Sequence, residues 1–309
     1  MLALQMTWNP SKGIDLGFFT LHYYSIMWIV AFLLGFTIMK RMYKNENQTN
    51  ESLDSLFIYS VVGIMLGARL GHVIFYQSEL ISQDFFSIFL PFKFKGGFEF
   101  TGFQGLASHG AAIGMIISMY LYNKKVLKKT VLWILDRVVV PVALGAVFVR
   151  LGNFINSEII GKVTESSLGV RFVQDQYNKY DVEKITGLKN IKDAYSKLGS
   201  DPKYAEYLEN VPYRHPAQLY EAGSYIFVFL ILLFVYWKTK KSEQQGFLFG
   251  LFLVLLWTVR FFVEFVKEAQ VEGREDYVSF MNTGQLLSIP FILIGLYFMF
   301  IYKPKSKLS

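Results

Sequence analysis

Ten ionisable side chains stand inside apolar stretches of this chain: His22, Arg69, His72, His109, Asp136, Arg137, Arg150, Glu221, Arg260 and Glu264. Burying such a group costs at least about 2.5–3.5 kcal/mol at the centre of a membrane helix, so each should face a helix interface or a wet cavity. The richest cluster is Arg150-Leu-Gly-Asn-Phe-Ile-Asn-Ser-Glu158. Asn153 falls one helical turn after Arg150, Gly152 permits close approach of a ligand or a second backbone, and Asn156 and Glu158 end the apolar run. A guanidinium keeps its charge in a poor solvent and grips phosphate through two parallel hydrogen bonds. The chemistry suggested is recognition of an anionic group. A polar helix cap accounts for the same spacing equally well.

His109, in Ser-His-Gly-Ala-Ala-Ile-Gly, has no charged neighbour in sequence. Its small flanking residues suit tight helix packing, the commoner role for a lone histidine, while its depth keeps acid–base chemistry open. Glu264 follows Arg260 by four residues and can close on it as an ion pair. Asp136 and Arg137, one turn inside a span beside a basic loop, read as snorkelling side chains. His72 reads as a neighbour of Arg69, and Arg214-His-Pro-Ala-Gln-Leu-Tyr-Glu221 as a polar entry to a span. The four histidines have no zinc-ligand spacing and there is no cysteine, so neither a metal site nor a protein thiolate is expected.

The elements that must position these residues follow from composition. Of 309 residues, 53% are hydrophobic and 18% charged, against about 25% charged in a soluble domain. The chain reads as an all-α, polytopic membrane protein forming one integral-membrane domain over residues 1–309. Seven stretches reach or approach the roughly 20 residues a span needs: Phe18–Met39, Ser55–Tyr76, Leu106–Tyr122, Val131–Phe154, Leu219–Trp237, Phe247–Val266 and Gly284–Ile301. Pro290 is expected to kink the last. No internal repeat and no removable signal peptide are read.

Lys40, Arg41 and Lys44, then Lys124, Lys125, Lys128 and Lys129, then Lys238, Lys240 and Lys241 occupy alternate loops, and Lys303, Lys305 and Lys307 the tail. These clusters put the N-terminus outside and the C-terminus in the cytoplasm, and they account for much of the net charge of +7 without nucleic acid. The insertion of about 157–215 becomes a small extracytoplasmic cap, a solvated loop with an amphipathic helix around Tyr195, Leu198, Tyr204, Tyr207 and Leu208. With this topology His22, Arg69, His109, Arg150, Glu221, Arg260 and Glu264 fall in the outer half of the bilayer. Arg69, Arg150 and Arg260 together then favour a phospholipid head group.

Several motifs resemble those of the bacterial prolipoprotein diacylglyceryl transferase family. They are His109-Gly-Ala-Ala-Ile-Gly114, Arg150–Glu158, Arg214–Glu221 and Arg260-Phe-Phe-Val-Glu264-Phe, with His22-Tyr-Tyr24, Gly67-Ala-Arg69-Leu-Gly71 and Gly284-Gln-Leu-Leu-Ser-Ile-Pro290 matching in order. The likeness runs through all seven spans. It departs at Ala111, where the family often has glycine, at Ser157, where it often has Asn-Gly-Glu, and at Leu256, where a tyrosine is expected and Trp257 stands alongside.

The resemblance implies a multi-pass enzyme of the bacterial inner membrane that makes the first modification of lipoproteins. The diacylglyceryl group of phosphatidylglycerol would pass to the lipobox cysteine at the prolipoprotein signal peptide, forming a thioether and releasing glycerol phosphate, with no cofactor. His109, Arg150 and Arg260 are the implied catalytic residues, His109 as base or base-orienting group and the arginines on phosphate. Asn153, Asn156, Glu158, Tyr24, His22, Arg69 and Glu264 are the implied substrate-binding set. The rival class is a transporter or lipid-binding protein using the same basic cavity without covalent chemistry. Against it stand the lack of paired repeats and the concentration of charge in one leaflet.

Overall fold

The computed structural model describes residues 5–17, 20–90, 92–93, 99–100, 105, 107–268 and 281–303. Strands β1 (Met6–Trp8), β2 (Gly13–Asp15) and β3 (Thr20–His22) open the chain, the last two as a hairpin in which Gly13 faces His22. Helices α1 (Tyr23–Asn45) and α2 (Asn50–Tyr76) follow. Thr49 caps α2, its hydroxyl accepting from the Ser52 amide. One-turn helices α3 (Leu80–Gln83) and α4 (Phe86–Phe89) and strands β4 (Phe92–Lys93) and β5 (Glu99–Phe100) lead to α5 (Ser108–Tyr122). A π-helical turn, Asn123–Leu127, extends α5, and α6 (Val131–Asn156) runs through Pro141.

The insertion holds β6 (Val170–Phe172), α7 (Val173–Gln176), α8 (Lys179–Thr186), α9 (Ile191–Ser200), α10 (Ala205–Glu209) and β7 (Tyr213–Arg214). The chain ends in α11 (Ala217–Lys238), α12 (Phe247–Val263) and α13 (Thr283–Leu296), which continues through Pro290 into a π-helical turn, Tyr297–Ile301. This is an all-α membrane fold with only minor sheet.

Each predicted span overlaps a helix among the described residues. Among the described residues, five helices are long and apolar enough to cross a bilayer: Tyr23–Asn45, Asn50–Tyr76, Val131–Asn156, Ala217–Lys238 and Thr283–Ile301. The helices at the third and sixth positions are shorter, 15 and 17 residues. The first helix begins at Tyr23 and not at Phe18, because Thr20–His22 is spent pairing with β2. Phe18, Leu106, Lys305 and Lys307 lie outside the described residues. Leu33, Ile116, Phe227, Phe300 and Ile301 are each more than 60% exposed, side chains that only hydrocarbon solvates well.

The chain divides into two compact units, Phe36–Arg137 and the remainder. In the first, α2 and α5 pack backbone to backbone. Gly67 lies against the Gly110 carbonyl and Gly114, Gly71 against Gly110, and Gly63 against Ser118. This is the four-residue spacing of small residues that lets membrane helices approach closely, as the small neighbours of His109 suggested. Asp136 and Arg137 do not snorkel. Asp136 is fully buried, and Arg137 lies 2.7 Å from Glu46 Oε1 with its guanidinium 4.4 Å over the Trp133 ring. A carboxylate and an aromatic face brought to the arginine make burial tolerable without reaching for water.

In the second unit the insertion is a folded cap, not a solvated loop. Val173, Val182, Ala194, Leu198 and Tyr204 form a core of their own, with Tyr195 and Leu208 packed against it. Strand order β1-β6-β7 ties the N-terminal segment into the cap, and the Trp8 indole donates to the Phe154 carbonyl at the end of α6.

Candidate active site

The end of α6 is shaped by a left-handed residue. Ser157 has φ +58°, its amide donates to the Phe154 carbonyl, and the Glu158 amide donates to the Asn153 carbonyl, the paired bonds of a Schellman motif. A Cβ makes that conformation cost roughly 1–2 kcal/mol, which rationalises glycine as the alternative here. The turn folds Glu158 back over the helix. Its carboxylate accepts from Asn153 Nδ2 at 3.3 Å and Asn156 Nδ2 at 3.1 Å, and its carbonyl accepts from Gln218 Nε2.

Arg150 lies one turn before Asn153 and donates to Asn153 Oδ1 at 3.4 Å. Its Nε edge faces Glu221 Oε2 at 2.7 Å, and Glu221 is almost wholly buried. Tyr225, one turn further along α11, approaches Glu221 Oε1 at 3.5 Å and lies within electrostatic range of both Arg150 and Arg260. Gly152 leaves room for the Tyr24 ring, which fills the space a Cβ would need. Arg150, Asn153, Asn156, Glu158 and Tyr24 are thus assembled in one unit. His22 is exposed on β3, immediately before α1.

Arg260 stands near the end of α12, its guanidinium 5.3 Å from the Trp257 ring, and Trp257 stacks on Phe291 with centroids 4.2 Å apart. The predicted pair with Glu264 is loose: Nε to Oε1 is 3.7 Å, while Lys267 Nζ donates to the same oxygen at 2.9 Å. Arg260 Nε and Gln218 Oε1 are buried polar atoms without a hydrogen-bond partner among the described residues. Buried groups are normally satisfied, so these two atoms keep hydrogen-bonding capacity for a further partner.

His109 and Arg69 belong to the other unit. His109 is exposed in the first turn of α5, edge-on to Phe75 at 5.0 Å and tilted against Tyr76 at 6.0 Å. Arg69 is buried, with Nε donating to the Ile88 carbonyl at 3.0 Å and Nη2 to the Ser87 carbonyl at 2.9 Å. These bonds hold the α4 segment against α2.

Sequence reasoning left Tyr225 and Lys267 out and took Gln218 and Glu221 only as part of a polar entry to a span. Gln218, Glu221 and Tyr225 fall at helical spacing in an otherwise apolar run, a polar stripe that was readable in principle. Lys267 carried no signal, lying just past the last turn of a span.

The sequence model of the family described as prolipoprotein diacylglyceryl transferase matches residues 12–301. A Bacteroides fragilis protein named phosphatidylglycerol–prolipoprotein diacylglyceryl transferase is 37% identical over 311 residues, covering 100% of this chain and 99% of its own. Proteins of the same name from Tolumonas auensis and Porphyromonas gingivalis are 36% and 33% identical, covering 94% of this chain and 95% and 93% of their own.

Proposed function

The chain belongs to the prolipoprotein diacylglyceryl transferase family, and from that premise we propose that it transfers the diacylglyceryl group of phosphatidylglycerol to the lipobox cysteine of a prolipoprotein. The observation that carries the reading is the Arg150 cluster: a guanidinium fixed on its Nε edge by buried Glu221, its other edge only loosely held by Asn153. That second edge is the one assigned to phosphate.

The cysteine sulfur attacks the glycerol carbon bonded to the phosphate oxygen. A carbon–sulfur bond forms, the carbon–oxygen bond breaks, and glycerol phosphate leaves with the electron pair. A thiol of pKa about 8.5 attacks well only as thiolate, and His109 is assigned to take its proton. Charge grows on the leaving phosphate as the bond breaks, and preorganised cations placed there lower the barrier. Arg150 and Arg260 take that role. Asn153, Asn156 and Glu158 orient the head group and Arg150, Tyr24 and His22 line the entrance, and Glu264 sets the surroundings of Arg260. Arg69 contributes by holding the segment after α2. No cofactor enters the scheme.

The setting proposed is the bacterial inner membrane, with seven spans, the N-terminus and cap extracytoplasmic and the C-terminus cytoplasmic. Lipid reaches the site from the bilayer and the signal peptide presents the thiol.

Arg150→Lys and Arg260→Lys test the assignment, because an ammonium keeps the charge and loses the planar fork. Each is expected to fold and to slow turnover about 100- to 1,000-fold, the loss of about 2.7–4 kcal/mol of transition-state stabilisation. Stable lysine variants with near wild-type transfer would remove the phosphate clamp.

A further inference from the structure

We propose that Lys267 is a positioning residue for this reaction: it holds the Glu264 carboxylate off Arg260, so that the guanidinium stays open to an anionic head group. The inference rests on the phosphate role given to Arg260 above. Lys267 is only 5% exposed, and the partner that compensates its charge is Glu264 Oε1 at 2.9 Å. That same oxygen stands 3.7 Å from Arg260 Nε, beyond hydrogen-bond reach. Arg260 Nε is in turn buried with no acceptor among the described residues. One carboxylate faces two cations and is committed to the lysine.

The backbone keeps it so. The Lys162 amide donates to the Val266 carbonyl at 2.8 Å and the Glu268 amide to the Ile160 carbonyl at 3.2 Å, pinning Lys267 opposite Gly161, three residues after Glu158. From the other side, the carboxylate rests on Gly284 in the first turn of α13, where a Cβ would displace it, and Asn282 Nδ2 donates to the Glu264 carbonyl at 3.0 Å. The first turn of a helix favours a carboxylate, so this seat adds to the pull of Lys267. Without the ammonium, Arg260 becomes the nearest cation to Glu264, and closing less than an ångström makes a charge-assisted pair that competes with phosphate.

The test is a double-mutant cycle on full-length protein in detergent, read as equilibrium binding of phosphatidylglycerol and as its KM against kcat. Lys267→Met is expected to weaken binding and raise KM about tenfold with Glu264 present, and to change neither appreciably in the Glu264→Gln background. Lys267→Arg should restore wild-type binding. An equal loss in both backgrounds, or no loss in either, would overturn the proposal. Should Lys267→Met alone fail to fold in a thermal melt, the double variant decides against Glu264→Gln: equal affinity supports the role, a tenfold deficit refutes it. Failure of the wild-type protein to bind or use the lipid would instead strike the functional reading beneath.

Discussion

Arg150 has one neighbour that its sequence spacing announces and another that it hides. Asn153 follows by a single turn and makes the expected contact, whereas Glu221 lies on a separate helix and pairs with the arginine at 2.7 Å. A local motif exposes i, i+3 partners; only packing reveals the counter-charge. Arg260 teaches the complementary lesson. Its i+4 partner was legible, yet Lys267 takes the better bond with Glu264, and Trp257, the neighbour of the departing Leu256, lies under the guanidinium. His109 remains the sharpest residue-level test, since its aromatic contacts suit packing as well as catalysis. His109→Gln keeps size and hydrogen bonding but not basicity. It should fold normally and lose about 100-fold or more in turnover. Normal turnover with an unshifted pH profile would pass the proton to another group.

Helices were the most legible elements, because apolar runs of spanning length have few other uses. Their ends were less so: β3 claims residues assigned to the first span, and the Ser157 turn ends α6 through backbone bonds that no side-chain pattern reports. The cap was least legible, as its core residues are scattered among charged ones and meet only after several short elements fold together. Between α2 and α5 the glycines carry the packing. Gly114→Leu would drive a side chain into the Gly63 carbonyl and the Gly67 Cα. Overpacking of this kind should cost about 1–3 kcal/mol, seen as a lower melting temperature in detergent with activity lost in parallel. A variant as stable as wild type would mean that the two helices do not pack this closely.

For the whole molecule, composition alone established a membrane protein, and five helices of spanning length agree with it. Orientation rests on the lysine-rich loops. Reporter fusions after Lys125 and after Lys241 should both report the cytoplasm, and opposite results would break the proposed topology. Transfer itself is the most direct test of the account. Purified protein, phosphatidylglycerol and a lipobox peptide should yield, by mass spectrometry, a peptide heavier by one diacylglyceryl group on its cysteine. One glycerol phosphate should be released per peptide, and no product should form from a serine-substituted peptide or with a zwitterionic lipid alone. Binding of the lipid with no modified peptide, under conditions where the protein is folded, would contradict it.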